Sequence, residues 1–551
     1  MLGHEDSEAI ATLLGLIEGR ENTILDFSDE RQYRAALAIH NLGGHTPETR
    51  PGMHAALAER RERHVARSGI DGEQLPQDPP FRTGAHLNEI SRVPNTENAA
   101  ASGFASVVYG AFQLNSTIAV FDAAGTTTLA SGSGSQFNQG QYLKLYAAPV
   151  SGRTVQPQMT GTIVYSYQQQ PGGPWVTGAT QSGVSLGVLA DPVVIHPKKH
   201  QTKVPSDYIR IALGRGGSSQ DDVDYWYGYG HDTTTYALPW YGSVTFVAPP
   251  PEPLYEVNTW IFGTLARGLG GTGGYAALPR ASRMTLFDNL HVSGNTLAWT
   301  MKPPAVKPPW GDRGDPLLWG NLNWVSGEAD YLTIQLMVRL QDQTTAIATV
   351  QSSDLPDQDP LDGVTYIPPI QFVYSCLVAG TPILLADDST IPIEDVVHGS
   401  VVRCGDGVAR EVSSTTIFRF GGEILKLRTE NGGEVALSGN HPVMTTDGFV
   451  QAHELEPGDE VRVWGGATSV LVQAEREPYQ GLLCNLRLDE SSEPDPAQSS
   501  VFAGGIEVGD YALQMSHDRS RRTDPARIRA MLEPRYLPDF EQYLSEITAG
   551  R

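Results

Sequence analysis

Cysteine is scarce in this chain, with three residues among 551, and all three lie after position 375. So few thiols exclude a disulfide framework and confine any thiol chemistry to the carboxy-terminal part. No apolar run approaches the roughly 20 residues of a membrane-spanning helix. The amino terminus has no basic segment followed by an apolar core, so no secretory signal is recognised. We expect a cytoplasmic protein, with export by a non-classical route left open.

Positive charge is also in short supply. The chain has 39 Lys and Arg residues against 63 Asp and Glu, which gives a formal net charge of -24. Like charge opposes association with nucleic acid and with anionic membranes, so both are disfavoured as partners. The sequence lacks a phosphate loop, a dinucleotide fingerprint, a zinc protease motif and a nucleophile elbow. Cys404 has no companion ligands at zinc spacing, so we predict neither a metal site nor a cofactor.

Glycine and proline are abundant, at 58 and 38 residues, and they separate short runs of β-branched and aromatic residues between about 100 and 374. This pattern predicts a mainly β protein, with β-sandwich-like sheets or a barrel in the centre. Helical spacing precedes it, and Asp29 and Pro51 mark the expected starts of two helices. The length predicts several domains. The expected divisions are a helical segment with a linker (1–95), a β-rich domain (96–250), a second β-rich domain or a continuation of the first (251–375), a carboxy-terminal domain (376–510) and a polar tail with a helix (511–551).

Four motifs in the carboxy-terminal third stand in a specific order and separation. They are Cys376-Leu-Val-Ala-Gly-Thr381 with Ile393-Glu-Asp395, Ser438-Gly-Asn-His441 with Pro442, Ala452-His-Glu-Leu-Glu-Pro-Gly-Asp-Glu-Val461, and Asn485-Leu-Arg-Leu488 followed by Val501-Phe-Ala-Gly-Gly-Ile-Glu-Val508. Together they make the segment resemble a Hint domain, the self-processing module of hedgehog carboxy-terminal domains, inteins and bacterial intein-like proteins. The resemblance implies a flat, pseudo-twofold, all-β horseshoe whose first residue is the nucleophile.

The thiol of Cys376 is placed to attack the carbonyl of Ser375, because a five-membered ring makes the attack intramolecular. The attack gives a thioester, and the amide nitrogen must leave as an amine. By resemblance His441 supplies the proton, and histidine suits this role because its pKa lies near neutrality. Ser438 stands where the family usually has threonine, and it either hydrogen-bonds the scissile amide or caps a turn. Asn485 stands where inteins often carry a catalytic aspartate.

The far end of the segment departs from inteins, which usually finish with His-Asn followed by Cys, Ser or Thr. Here Gly509-Asp510 precedes Tyr511, which disfavours both cyclisation and acyl transfer to the next residue. We therefore predict cleavage on the amino-terminal side of Cys376 without splicing. The charged tail, with a helix expected from about Pro525, is too polar for a sterol-binding region. The substrate is the chain's own peptide bond, and water or a small thiol is the expected acceptor.

Two questions stay open at this point. The Hint-like segment is either a single-turnover self-cleaving module that releases residues 1–375, or an uncleaved fold used for structure or interaction. The amino-terminal region carries an aromatic cluster with Trp226, Tyr227 and Tyr229, which is either a glycan-stacking platform or a tyrosine-rich loop over a sheet edge. The sequence assigns no function to residues 1–375.

Overall fold

The architecture is mainly β, with a small group of helices near the amino end and short helices near the carboxy end, as the sequence predicts. The computed structural model of the chain describes residues 3–20, 22–66, 82–88, 90–92, 96, 98–138, 142–154, 158–182, 187–189, 191–195, 209–213, 225–227, 241–255, 258–267, 273–278, 290–300, 329–353, 364–373, 377–488, 494–514, 516–517 and 524–549. The helices named here are α1 His4–Ile17, α2 Glu30–Leu42, α3 Pro51–Ala66, α4 Pro525–Met531 and α5 Leu537–Thr548.

The amino-terminal helices form where apolar residues recur at helical spacing. α1, for example, buries Leu13 and Ile17 on one face. Both predicted helix starts are confirmed: the Asp29 side chain accepts a hydrogen bond from the first turn of α2, and α3 begins at Pro51. Across the described residues, each helix is too short or too polar to cross a membrane.

Most strands before position 374 belong to one closed barrel. All the described strands before position 374, in and outside the barrel, are β1 Thr23–Ile24, β2 Gly84–Leu87, β3 Ser91–Arg92, β4 Ala99–Ser106, β5 Gln113–Asp122, β6 Thr128–Phe137, β7 Tyr142–Pro149, β8 Met159–Gln168, β9 Trp175–Ser182, β10 Gly187–Leu189, β11 Asp191–Ile195, β12 Ile209–Leu213, β13 Tyr225–Tyr227, β14 Tyr241–Thr245, β15 Thr259–Arg267, β16 Tyr275–Ala277, β17 Leu290–Ser293, β18 Thr296–Thr300, β19 Ala329–Arg339, β20 Thr345–Ser352, β21 Val364–Ile367 and β22 Ile370–Val373. Strands β11, β14, β18 and β17 form a separate four-stranded sheet. Most pairings are antiparallel, but β10 pairs with β3 and β20 in parallel.

Strand β5 shows how the barrel wall separates two apolar cores. Successive side chains of a strand point to opposite faces. Leu114, Ile118 and Val120 pack in the cluster on one side, whereas Ala119 and Phe121 pack with α1, α2 and α3 on the other. The helices therefore cover this wall, which explains why every residue of β5 is buried. We call the helices together with the wall that they cover the amino-terminal unit.

The carboxy-terminal β unit, residues 377–510, is built on an 11-stranded sheet with a core of its own. Its strands are β23 Leu377–Val378, β24 Pro382–Leu384, β25 Thr390–Pro392, β26 Val401–Arg403, β27 Ala409–Glu411, β28 Ser414–Thr429, β29 Glu434–Leu437, β30 Pro442–Thr445, β31 Gly448–Gln451, β32 Glu460–Arg462, β33 Thr468–Arg487, β34 Ser500–Ala503 and β35 Ile506–Gly509. Strands β28 and β33 pair along almost their whole length, while β26 and β27 form a separate ribbon. The apolar cluster inside the unit runs from Leu377 to Val508.

The end of the chain packs on its beginning. The predicted tail helix is confirmed as α4, which Asp524 caps. Ile528, Leu532, Tyr536 and Phe540 belong to the same apolar cluster as the three amino-terminal helices. The charged tail therefore completes the core of the amino-terminal unit, and the carboxy-terminal β unit is inserted between two parts of one folded body.

Candidate functional site

The chain enters the carboxy-terminal β unit through the short strand β23. Leu377 is buried and pairs on one side with Leu437 of β29 and on the other with Cys484 of β33. The residue that follows each partner is a predicted site residue, Ser438 in one case and Asn485 in the other. The structure therefore brings these two positions to the place where the unit begins.

The predicted nucleophile and the predicted cleavage point lie outside the described residues. These are Ser375 and Cys376, which immediately precede Leu377 in the sequence.

Ser438 opens a tight turn that ends at His441. The backbone N–H of His441 donates to the carbonyl of Ser438 at 3.0 Å, which closes the turn. The Ser438 hydroxyl donates to Oδ1 of Asn440 at 2.8 Å and is partly exposed. Both sequence interpretations placed the hydroxyl on a backbone amide, whereas in the structure it contacts the side-chain amide of Asn440.

His441 is fully buried where the turn leads into β30. Its carbonyl accepts a hydrogen bond from Ala452 at 2.9 Å, and its ring faces the backbone of Gly509. Burial lowers the pKa of His441 to about 3 because the imidazolium loses its solvation, and the backbone of Gly509 acts in the opposite direction. The ring is therefore neutral at physiological pH, so the near-neutral pKa expected from the sequence is wrong for the folded chain and the resting ring has no extra proton to supply.

Gly509 brings the end of the unit against His441. A Cβ at this position would lie 2.6 Å from Cγ of Pro442 and 3.0 Å from Cδ2 of Leu513, so a larger residue does not fit without movement. Val443 of β30 pairs with Val508 of β35, which fixes the approach. The carboxy-terminal end of the β unit thus lies beside the buried imidazole.

Asp510 is buried, and both of its carboxylate oxygens accept backbone hydrogen bonds. Oδ2 accepts from Leu488 at 2.8 Å, and Oδ1 accepts from Leu513 at 2.9 Å. The second contact caps a helical turn at 511–514. Tyr511 lies buried in that turn. The carboxylate is therefore held by two donors rather than presented to the following peptide bond.

Asn485 connects β33 to the same helical turn. Its side chain is buried, and Nδ2 donates to Oε1 of Gln514 at 3.3 Å. Oδ1 accepts from the backbone of Leu486 at 2.9 Å. The helical turn at 511–514 therefore contacts Asn485 through Gln514. It also lies against Gly509 through Leu513, on the side of His441.

The two cysteines that the structure describes are both buried and free of disulfides. Cys484 lies on β33 opposite Leu377. Burial raises the pKa of the Cys404 thiol to about 11, although a hydrogen bond with Arg410 opposes the shift. Within the described ranges, no cluster of three His, Cys, Asp or Glu side chains is arranged to hold a metal ion.

Sequence analysis missed a buried carboxylate, Glu507 of β35. It accepts a hydrogen bond from the Ser500 hydroxyl at 2.8 Å and faces Nη1 of Arg462 at 3.5 Å. Burial raises the pKa of Glu507, and the hydroxyl and the guanidinium oppose that rise. Its signal in the sequence is a single charged residue between Ile506 and Val508, inside an otherwise apolar strand.

A second missed group lies between α2 and the barrel wall. His40 contacts the hydroxyls of Thr117 at 3.2 Å and Ser166 at 3.0 Å, and His45 contacts the Ser135 hydroxyl at 3.2 Å. Burial lowers the pKa of His40 to about 3, so this ring is neutral as well. No sequence motif marks these residues, because their hydroxyl partners are far away along the chain.

The aromatic cluster of the central region is described in part. Trp226 and Tyr227 lie in β13, which runs parallel to β12. The side chains of both residues, and the whole of Tyr229, lie outside the described residues. The choice between a glycan platform and a packed loop therefore stays a prediction.

Comparisons with known proteins give partial similarities. No family model matches the chain. A replication factor C small subunit from Methanocaldococcus jannaschii is 28% identical over 120 residues, which cover 20% of this chain and 6% of that protein. The chain thus spans about 6% of the length of this curated relative.

Solved structures similar to the chain include inteins and an intein-like domain. The gp41-1 intein is 17% identical with a TM-score of 0.22. The bacterial intein-like domain from Clostridium thermocellum is 22% identical with a TM-score of 0.22, and a DnaB intein from Synechocystis is 18% identical with a TM-score of 0.21. Each alignment covers 25% of this chain and 99% of the other.

Proposed function

We propose that residues 376–510 are a self-processing module that breaks the bond between Ser375 and Cys376. The observation that carries this proposal is the position of Leu377, which is clamped between Leu437 and Cys484. These pairings hold Leu377, the residue next to Cys376, close to the predicted site residues Ser438 and Asn485. The motif resemblance to Hint domains supports the same assignment.

The proposed reaction is an N-to-S acyl shift. The sulfur of Cys376 bonds to the carbonyl carbon of Ser375, the C–N bond breaks, and a thioester and a free amine result. A neutral imidazole can accept the thiol proton and return it to the leaving nitrogen, so no net proton is consumed. With a pKa of about 3, His441 is neutral at neutral pH and has a free lone pair for the thiol proton, but a pKa so far below the operating pH makes it a weak base. Water or a small thiol then breaks the S–C bond and regenerates the thiol.

The reaction stops after this cleavage, without splicing. Cyclisation at the far end requires a side chain that is free to attack its own peptide bond. The Asp510 carboxylate is instead occupied by the N–H groups of Leu488 and Leu513. Tyr511 continues into a helical turn, so the far end is built as an internal part of the fold.

Expression of the chain followed by a denaturing gel tests this proposal. We expect fragments of about 375 and 176 residues, with faster appearance when hydroxylamine or dithiothreitol attacks the thioester. Cys376→Ala removes the nucleophile and should leave the chain intact. Cys484→Ala is the matched control, since this thiol is buried in β33. A wild-type chain that stays whole in both reagents contradicts the proposal.

An uncleaved module is the second candidate. It is favoured by the packing of the tail into the amino-terminal core, because Phe540 and Leu532 hold the unit at its far end. An inserted unit fixed in this way suits a structural or binding role. The same gel separates the two candidates, because the second predicts a single band for wild type and for Cys376→Ala.

A further inference from the structure

We infer that self-cleavage leaves the two products bound to each other, so that the amino-terminal product is nicked but not released. This inference rests on the proposed function, because it concerns the fate of its products. The scissile bond separates α1, α2 and α3 from α4 and α5, yet these helices share one apolar core. The tail of the second product is therefore a structural part of the first.

The apolar contact between the products is built from aromatic rings. Phe540 packs edge-on against Phe137 of β6, with the ring centroids 5.1 Å apart. Tyr543 approaches the same ring, with centroids 5.3 Å apart. Tyr536 is buried, and its hydroxyl accepts a hydrogen bond from Nε1 of Trp175 at 2.9 Å. If the tail left, Phe137 and Trp175 would be exposed to water.

The tail also caps helix α3. The first N–H groups of a helix have no partner within it and need an acceptor. Because α3 begins with Pro51, which has no N–H, Gly52 and Met53 supply the first donors. Asp539 of α5 accepts from both, at 2.8 Å each. α3 has no acidic residue in its own first turn, so its cap belongs to the other product.

Charge pairs reinforce the contact. Arg50 has a fully buried side chain and pairs with Glu546 of α5. Without the tail, this buried guanidinium would lose its carboxylate, which is costly in a low-dielectric environment. Arg535 donates to both carboxylate oxygens of Glu59 at 2.8 Å on the exposed side of α3.

The tail and the start of α3 pack so closely that one added methyl group at Gly52 would disrupt the contact. A Cβ on Gly52 would lie 2.6 Å from the carbonyl oxygen of Arg535 and 2.7 Å from Cδ1 of Tyr536. Alanine favours a helix more than glycine does, so Gly52→Ala should leave α3 itself intact. Gly15→Ala in α1 is the matched control, because a Cβ there meets no atom within 4 Å.

Native mass spectrometry and size-exclusion chromatography of the cleaved chain test this inference. The wild-type and Gly15→Ala products should elute together at the size of the whole chain, although a denaturing gel separates them. Gly52→Ala should raise the dissociation constant of the two products by about tenfold or more, because the added methyl group overpacks the contact. Wild-type products that elute separately at micromolar concentration overturn the inference, and so does a Gly52→Ala pair that stays as tightly bound as wild type.

A second version of the chain keeps this test independent of the proposed chemistry. A site-specific protease sequence replaces Ser375 and Cys376, so an added protease cuts the chain whether or not it cleaves itself. If the unaltered chain never cuts itself, the proposed function fails. The protease-cut pair still decides the inference: co-elution that Gly52→Ala weakens supports it, and separate elution overturns it.

Discussion

The buried, neutral His441 predicts that the stability of the carboxy-terminal β unit falls with acidification. Its pKa is lowered from 6.5 to about 3 because burial disfavours the charged ring. In the unfolded chain the ring binds a proton below pH 6.5, whereas the folded ring does not. The stabilisation is therefore fully present above pH 6.5 and is lost as the pH falls toward 3.

The size of the effect follows from the same pKa values. Between pH 7.5 and pH 5, linkage predicts a loss of about 2 kcal/mol from this one group. In hydrogen exchange, that loss lowers protection factors about 30-fold by the same relation. The amides of β30, which begins directly after His441, are the ones to follow.

The measurement compares the Cys376→Ala chain with and without His441→Gln, so that cleavage does not interfere. Glutamine has no ionisation in this range, so its protection factors, corrected for intrinsic exchange, should change less steeply with pH. His453→Gln is the matched control, because His453 is exposed in the same unit, and it should retain the wild-type slope. Equal slopes in all three chains would refute the reasoning.

Three further substitutions test the packing by chemical denaturation of the full chain. Phe540→Ala should lower the free energy of unfolding by about 3–5 kcal/mol, because it leaves a cavity. Ile547→Ala is the control and should change this free energy little, because Ile547 is 50% exposed on the same helix. Equal losses would contradict the buried role of α5. Gly405→Ala should lower the free energy of unfolding by about 1–3 kcal/mol through overpacking, because the new Cβ would lie 1.9 Å from Oε1 of Glu507. An unchanged free energy would argue against that contact. Asp510→Ala should lower the free energy of unfolding by about 1–3 kcal/mol, because the N–H groups of Leu488 and Leu513 would lose their acceptor. Unchanged stability would argue against the role of Asp510 as the cap of the turn at 511–514.

Local features of the fold were predictable because the determining residues are adjacent in sequence. Asp29 and Asp524 mark helix starts through hydrogen bonds within one turn, and Pro51 marks one through its fixed φ and missing N–H. The spacing of Ile528 and Leu532 likewise predicts one buried face for the tail helix. The spacing does not show which core this face packs into, because its partners come from the first 180 residues of the chain.

The candidate site shows the same limit. The motif around His441 identifies the residue, but its burial depends on the approach of Gly509, nearly seventy positions later. The pairing of Leu377 with two separate strands is likewise a long-range contact. The closure of the barrel, including its parallel pairings, also depends on such contacts. Periodicity describes individual strands and does not select their neighbours.

The shared core of the first and last segments also sets an order of events during synthesis. A ribosome that adds about 5–20 residues per second needs roughly 10–30 s to travel from Cys376 to Phe540. During that interval Cys376 has left the peptidyl transferase centre, while α3 still lacks its cap and Phe137 its aromatic neighbours. The amino-terminal body therefore matures only after α5 has been synthesised, and a nascent chain stopped before α5 would leave this core incomplete.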